Sequence, residues 1–514
     1  MAYQESLRQE YIQSLVSSIQ SERTLVLIGT GSRGPVNVPT TIYNRQQAVK
    51  IFGEKGTLVE AYEQMESLLN GAPVCFVKTT GTHGILRLAL NQQGGDIIPD
   101  ALLLKTKEAS ELYNQIQVQL EPTAIHISHP QALGGHTMTY QLDRYGVMGE
   151  LIAALNEDAE NGKIELYAQS GIDELTTLHE PFYGCNATLS TISGASSELT
   201  VNKDFYYYCL QETYRILEGS EYQLIVPLGA YFDDILTSDA SYGETVYGQI
   251  GYRQGDYLTA QKGGRRVSYY AQLLEFCQKQ FDLGIFSHGI IGFNPDNPSD
   301  SEMLSILVNE SYRENILSAW FTEHYHHVSV VAGSLYYDHF RSINSAVLAY
   351  AAFLHTVDWA NPLTNTPIDS SCSLVTPLNK DTQKMVNKKG IVTFRESILH
   401  KGQLVVASAT TLNPDPGGLS YFYNLRMCQI TISGLNRLVD SYLGLHLDDL
   451  IKHNRMEKEI KSYLDLLKEI QWISDYGCAV HILEETTEVR IEISIKTTYM
   501  VDAIQINGSI EVAN

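Results

Sequence analysis

The chain has 514 residues, 44 % hydrophobic and 18 % charged, the balance of a folded globular protein long enough for about three domains. Its 36 basic residues against 59 acidic ones give a formal charge of −23, which disfavours wrapping a polyanion, so nucleic acid is not an expected partner. No apolar run approaches the ~20 residues of a membrane-spanning helix, and the opening MAYQESLRQEYIQSL has acidic residues and no apolar signal core; direct membrane insertion is not expected, and the product is expected to stay in the cytoplasm where it is made.

Residues 1–22 are predicted helical, with Tyr3, Leu7, Tyr11, Leu15 and Ile19 spaced by four; such a helix docks on its own subunit or on an adjacent one. The short apolar run Thr24-Leu25-Val26-Leu27-Ile28 reads as a buried strand. Gly29, Gly31 and Gly34 follow as a G-x-G-x-x-G string, which raises a nucleotide-binding α/β enzyme as one reading. That reading needs a helix to open at the third glycine, so that its N-terminal N–H groups hold the pyrophosphate. Pro35-Val36-Asn37-Val38-Pro39 is instead an extended segment, and the required context is missing. Arg45 to Phe52 then suits a short helix stopped by Gly53. Thr57 and Glu60 make a capping box for a second helix, with Leu58, Ala61, Tyr62, Met65, Leu68 and Leu69 on one face and Asn70-Gly71 at its end. Val74-Cys75-Phe76-Val77 is the next strand.

From Gly81 to about Thr200 short β-like runs, Ile116-Gln117-Val118 and Ala124-Ile125-His126-Ile127, alternate with polar loops, and one helix spans about Val147 to Asn156. The α/β rhythm returns with a helix over 205–217 and the strand Leu224 to Gly229. A helix over 267–281, the strand Gly284-Ile285-Phe286, the strand Val328 to Val331 and a helix over 343–354 follow. Strands alternating with helices predict a three-layer α/β domain. Residues 356–425 are rich in Pro, Asn, Thr and Ser, the mark of a functional loop or a domain boundary. A largely apolar helix over 426–442 precedes an amphipathic one over 454–473, ended by Gly477, with Met456, Ile460, Tyr463, Leu464, Leu467 and Ile470 on its apolar face. Val489, Ile491, Ile493 and Ile495 then alternate with Arg490, Glu492, Ser494 and Lys496 as a half-buried strand. Tyr499 to Val512 gives one or two further short strands.

Catalytic candidates are few. His324 and His326 share a face if the following strand extends back to them, which could seat a metal, yet no carboxylate or cysteine ligand follows at a recognisable spacing. Asp233-Asp234 lies at the carboxyl end of a strand, where α/β enzymes keep their sites, but an acid/base role needs a basin and a partner group that the sequence does not show, and helix capping is the better reading. The seven cysteines show no C-x-x-C pair and read as buried free thiols. No G-x-S-x-G, G-x-x-x-x-G-K-[ST] or H-E-x-x-H string occurs, so no cofactor, no metal and no enzymatic activity are expected.

Two distant stretches resemble contractile phage tail sheath proteins. The first is carried by Gly29, Gly34-Pro35-Val36-Asn37, Pro39, Phe52-Gly53 and Asn70-Gly71. The second is carried by Thr410-Thr411-Leu412, Pro414, Asn424 and Arg426, where the family shows an arginine before Thr-Leu and a second arginine at the place of Met427. The resemblance implies an α/β multidomain chain: an N-terminal helix or arm (1–22), a three-layer α/β middle domain (23–80 and 201–355), a β-rich inserted outer domain (81–200), an α+β C-terminal inner domain facing the tube (356–498) and a C-terminal strand arm (499–514). It implies a structural subunit, found in the virion tail and assembled in the host cytoplasm, whose hexameric rings stack helically around a tail tube protein. Baseplate and tail terminator proteins are the further implied partners, and contraction drives the tube through the host envelope. Val501, Ile504, Ile506, Ile510 and Val512 are then the candidate inter-subunit strand, unless they pair within their own domain. Lys452, Arg455, Lys458 and Lys461 are the candidate tube-facing helix, unless they form a solvated face. A static virion structural protein is the remaining alternative.

Overall fold

The computed structural model describes residues 10–16, 24–81, 83–91, 97–121, 123–158, 160–168, 188–193, 203–232, 268–293, 325–337, 342–358, 363–368, 372–375, 378–397, 402–412, 421–440, 455–483 and 488–497, with single positions between them. The apolar run Leu25–Gly29 forms β1, buried along its whole length. Thr40–Ile42 (β2) lies antiparallel on Val74–Lys78 (β3), which runs parallel beside β1. Between β2 and β3 stand the helices Arg45–Phe52 (α1) and Thr57–Met65 (α2). Asn44 caps α1, and Gly53, at φ 84°, ends it by donating its N–H to Val49 O, as the spacing predicts. The capping box expected from Thr57 and Glu60 does not form. The N-cap is Gly56, and Thr57 instead exchanges bonds with Thr30: Thr57 N–H donates to Thr30 Oγ1 (3.0 Å) and Thr30 N–H donates to Thr57 Oγ1 (2.9 Å).

The chain then leaves this sheet for two small antiparallel ones. Ile85–Asn91 (β4), Ile97–Thr106 (β5), Gln117–Glu121 (β6), Ala124–Ser128 (β7) and Thr137–Gln141 (β8) are followed by the helix Met148–Glu157 (α3), Ile164–Ala168 (β9) and Thr188–Thr191 (β10). The sheets run β4-β5-β9 and β10-β6-β7-β8. Leu102, Leu104, Val118, Ile125, Leu151 and Leu166 belong to a core of their own between them.

Lys203–Leu217 (α4), Leu224–Pro227 (β11), Tyr269–Asp282 (α5), His288–Gly292 (β12) and Val328–Val331 (β13) resume the first sheet. Ser334–Tyr337 (β14), Ser342–Ser345 (β15), Val347–Thr356 (α6), Cys372–Leu374 (β16), Lys380–Lys388 (α7), Ile391–Glu396 (β17) and Leu404–Ser408 (β18) come next. Among the described residues the main sheet has eight strands in the order β18-β17-β13-β12-β11-β1-β3-β2. Successive residues of a strand point to opposite faces, so Leu25, Leu27 and Phe76 join α1, α2 and α6 in one core, while Val26, Ile28 and Val77 join α4 and α5 in another. The chain is thus mixed α/β with several sheets.

Several boundaries differ from expectation. The strand expected over 284–286 is a turn, with Gly284 at φ 77°, and the strand begins at His288. The helix expected from 343 begins at Val347, because 342–345 pair with β14. The Pro- and Asn-rich passage after 355 supplies β16, α7, β17 and β18, the last two within the main sheet. Residues 10–16 are helical, but the buried face is Ile12, Leu15 and Val16, and Tyr11 is exposed.

Phe422–Asp440 (α8) and Arg455–Glu469 (α9) cross at Gly434, where a Cβ would meet the Tyr463 hydroxyl. They carry a two-stranded antiparallel hairpin, Ile473–Leu483 (β19) and Glu488–Thr497 (β20). Gly477, expected to end a helix, lies inside β19 opposite Ser494. The helix ends earlier, and Gln471, at φ 63°, follows it. The predicted alternation in β20 holds: Val489, Ile491, Ile493 and Ile495 pack on the core, while Arg490, Glu492, Ser494 and Lys496 are exposed.

Candidate functional site

The glycine string after β1 is a packing joint. Thr30 N–H donates to Thr57 Oγ1, Ser32 N–H to Lys55 O (2.9 Å), Arg33 N–H to Phe52 O (3.1 Å) and Gly34 N–H to Glu108 Oε2 (3.3 Å). The Arg33 guanidinium donates to Val49 O (3.1 Å) and to Lys50 O, at the last turn of α1. A Cβ at Gly31 would stand 3.1 Å from Phe52 O, and one at Gly56 would stand 2.5 Å from Thr30 O. These four amides are already spent, on α1, α2, the loop between them and Glu108, and are not free for a phosphate. Asn37, at φ 59°, donates its N–H to Lys78 O (2.7 Å) and accepts from the Thr213 hydroxyl (2.6 Å), which ties the extended segment to β3 and α4.

In open α/β sheets, ligands bind at the carboxyl ends of the strands where the order reverses. Here that point lies between β1 and β11, and Leu228 packs against Gly29 there. A cavity of about 150 Å³ remains beside it, lined by Thr57, Gln64, Gly229 and Val347. A larger one, about 640 Å³, opens at the opposite, amino ends of the strands, among Thr24, Glu221, His288, Phe422, Arg426 and Arg437.

His324 and Asp233 lie outside the described residues. His326 and His327 sit in a 3-10 turn before β13, with their rings 4.2 Å apart and His327 against Phe281 at 5.0 Å. Among the described residues no three His, Cys, Asp or Glu side chains gather as a metal would require. Asp234 accepts from Tyr231 N–H (3.1 Å) and pairs with Lys203, closing a turn. His288, which the sequence did not mark, is fully buried in β12 with Nε2 2.9 Å from Ser329 Oγ, and burial holds its pKa well below the ordinary imidazole value, with His327 and His326 adding to the effect.

Besides lining the larger cavity with α8, the C-terminal elements offer surfaces. Among the described residues no third strand pairs with β19 or β20. Lys452 and the strand candidates Val501, Ile504, Ile506, Ile510 and Val512 lie outside the described residues. On α9 the remaining candidate cations divide: Arg455 Nε donates to Glu459 (3.0 Å) and Lys461 Nζ to Glu457 (2.5 Å), each one turn apart, whereas Lys458 is exposed without an ion pair among the described residues.

No protein-family model matches the sequence, and no curated protein matches it. Among solved structures the fold is similar to that of a sheath tail protein. The sheath tail protein of Listeria innocua aligns with a TM-score of 0.53 over 95 % of this chain and 96 % of that one, at 11 % identity. The sheath tail protein of Desulfitobacterium hafniense (TM-score 0.48, 12 % identity, 92 % of each chain) is less similar. So is the contracted helical sheath of the anti-feeding prophage (0.48, 10 % identity, 95 % of this chain and 92 % of that one).

Proposed function

We propose that this chain is the structural subunit of a contractile sheath, a non-enzymatic protein that polymerises helically around a tail tube in a phage tail or a related injection particle. The observation that carries the reading is the fold likeness to a sheath tail protein across nearly the whole of both chains. The division into an N-terminal segment, an α/β middle domain, an inserted outer domain, a tube-facing C-terminal domain and a strand arm goes with it, as do hexameric rings and the tube, baseplate and terminator partners. Host cytoplasmic assembly is part of the same proposal.

Contacts that do not close on themselves build helical filaments. A sheath that shortens also needs a link between subunits that survives large rotations. Strand addition provides one, since backbone bonds hold while rigid blocks pivot. We assign the donor to residues 499–514, through Val501, Ile504, Ile506, Ile510 and Val512, and the acceptor to the β19–β20 hairpin of a neighbouring copy, whose edges are open among the described residues. Five or six backbone bonds at ~1 kcal/mol each and about four apolar side chains at ~1.5–3 kcal/mol make a link on the order of 10 kcal/mol before entropy. The tube contact is assigned to Lys452, Arg455, Lys458 and Lys461.

Negative-stain microscopy of the purified chain tests the reading. Hollow helical tubes are expected, in two lattices that differ in pitch. A single lattice under all conditions would favour a static virion component. A monomer at high concentration whose melting temperature rises with a nucleotide would overturn the reading in favour of an enzyme.

A further inference from the structure

We propose that the side-chain amide of Gln47 stands in for a neighbouring strand at β2 and closes that edge of the main sheet against a strand from a second copy. Among the described residues β2 is the outermost strand on its side. Its surroundings, Val38-Pro39-Thr40-Thr41-Ile42-Tyr43, are β-branched and aromatic and carry no charge. Val38 and Tyr43 are 47 % and 61 % exposed. An uncharged edge of that composition recruits other strands unless something blunts it. Shortness and Pro39 do part of this.

β2 meets β3 through Thr40↔Phe76, Thr41↔Cys75 and Ile42↔Val74. An incoming parallel strand centred on Ile42 would give an N–H to Thr41 O and take the N–H of Tyr43. Both groups are already occupied by one side chain: Gln47 Nε2 donates to Thr41 O (3.1 Å), and Gln47 Oε1 accepts from Tyr43 N–H (3.0 Å). Turning the amide over would break both bonds, so its orientation is fixed by its partners. Gln47 is held there by the start of α1, where its own N–H donates to Asn44 Oδ1 (2.9 Å).

The contact with Tyr43 N–H alone would suit helix capping. The bond to Thr41 O serves no helix and serves only the strand. The opposite edge is closed in a comparable way, since Asn365 N–H donates to Val406 O and Ile368 N–H to Leu404 O, both at 2.7 Å, along β18. Both margins of the main sheet are therefore closed from within the chain. That this directs strand exchange to the C-terminal hairpin rests on the subunit reading above; the closure of β2 does not.

The test uses the full chain carrying Gln47→Glu, Gln47→Ala, and Gln47→Ala with Thr41→Lys, read by sedimentation velocity, thioflavin fluorescence and circular dichroism. Glutamate keeps the acceptor for Tyr43 and suits the helix N-terminus, but it loses the donor and repels Thr41 O. If the amide closes the edge, both single variants keep their circular dichroism and form irregular, thioflavin-positive aggregates several-fold faster than the wild type. The lysine on the exposed Thr41 position then restores wild-type behaviour without restoring any cap. Wild-type behaviour of Gln47→Glu, or failure of the lysine to rescue, would overturn the proposal and leave Gln47 a helix cap. Should Gln47→Ala fail to fold, the glutamate variant decides alone. None of these readouts requires sheath formation, so a failure here leaves the subunit reading to its own test, and the reverse.

Discussion

The eight-stranded sheet and the β19–β20 hairpin treat their edges in opposite ways. In the main sheet β1 is buried on both faces, and the outermost strands are closed by Gln47 on one side and by residues 365–368 on the other. The hairpin buries one face on α8 and α9 and, among the described residues, pairs with no third strand. A sheet finished within its own chain suits a rigid block. A half-buried hairpin on a helical platform suits a joint that another chain completes.

The largest contrast should come from truncating equivalent apolar side chains. Leu27→Ala, at a fully buried site in the main sheet, is expected to cost about 2–5 kcal/mol in urea unfolding. Ile493→Ala, only half-buried in the hairpin, should cost about 1 kcal/mol and act mainly on assembly. Equal costs would erase the distinction. Next comes the platform. Gly434→Leu forces Tyr463 away from Ile430 O, to which its hydroxyl donates at 3.2 Å, so a loss of about 1–3 kcal/mol is expected. Hydrogen exchange should then rise in β19 and β20 more than in β1.

Acid should separate the regions further. Burial keeps His288 neutral in the folded main sheet, and burial lowers His83 and His129, at the inserted sheets, to about 4. The unfolded chain binds more protons than the folded one below the ordinary value near 6.5, so this stability is complete above pH 6.5 and is lost as pH falls towards 4. For His288 the slope is at most about 1.4 kcal/mol per pH unit, and His288→Gln should remove that part. Hydrogen exchange at pH 5 should therefore rise first in β12, around His288. The smallest effect belongs to α9. Lys458→Glu should change stability by about 0.5 kcal/mol or less, yet reduce co-purification with a tail tube protein. Unchanged co-purification would remove the tube-facing role.

Much of the chain was legible where periodicity is strong. β1, α1, β3, α5 and the alternation in β20 lie close to where apolar spacing puts them, because burial alone determines those patterns. The failures have separate causes. β12 begins with the polar and small pair His288-Gly289, which hides a strand that tertiary pairing with β11 and β13 imposes. β17 and β18 stand within a passage rich in Pro, Asn, Thr and Ser, whose composition argues for a loop while the sheet edge recruits it. The Thr57 capping box was displaced by Thr30, a partner 27 residues away that no local window contains. Of the candidate surfaces, Arg455 and Lys461 turned out to be paired along their own helix. Gln47 was overlooked, although an N-cap asparagine three residues ahead of a glutamine, directly after a β-branched strand, was there to be read.

The account depends most on the claim that residues 500–514 tie one copy to the next through strand addition. Sedimentation velocity of the full chain beside a chain ending at residue 499, with thermal melts of both, tests it directly. Matching melts with polymer formed by the full chain alone are the predicted result. Long polymers from the shortened chain, at the same melting temperature, would contradict it.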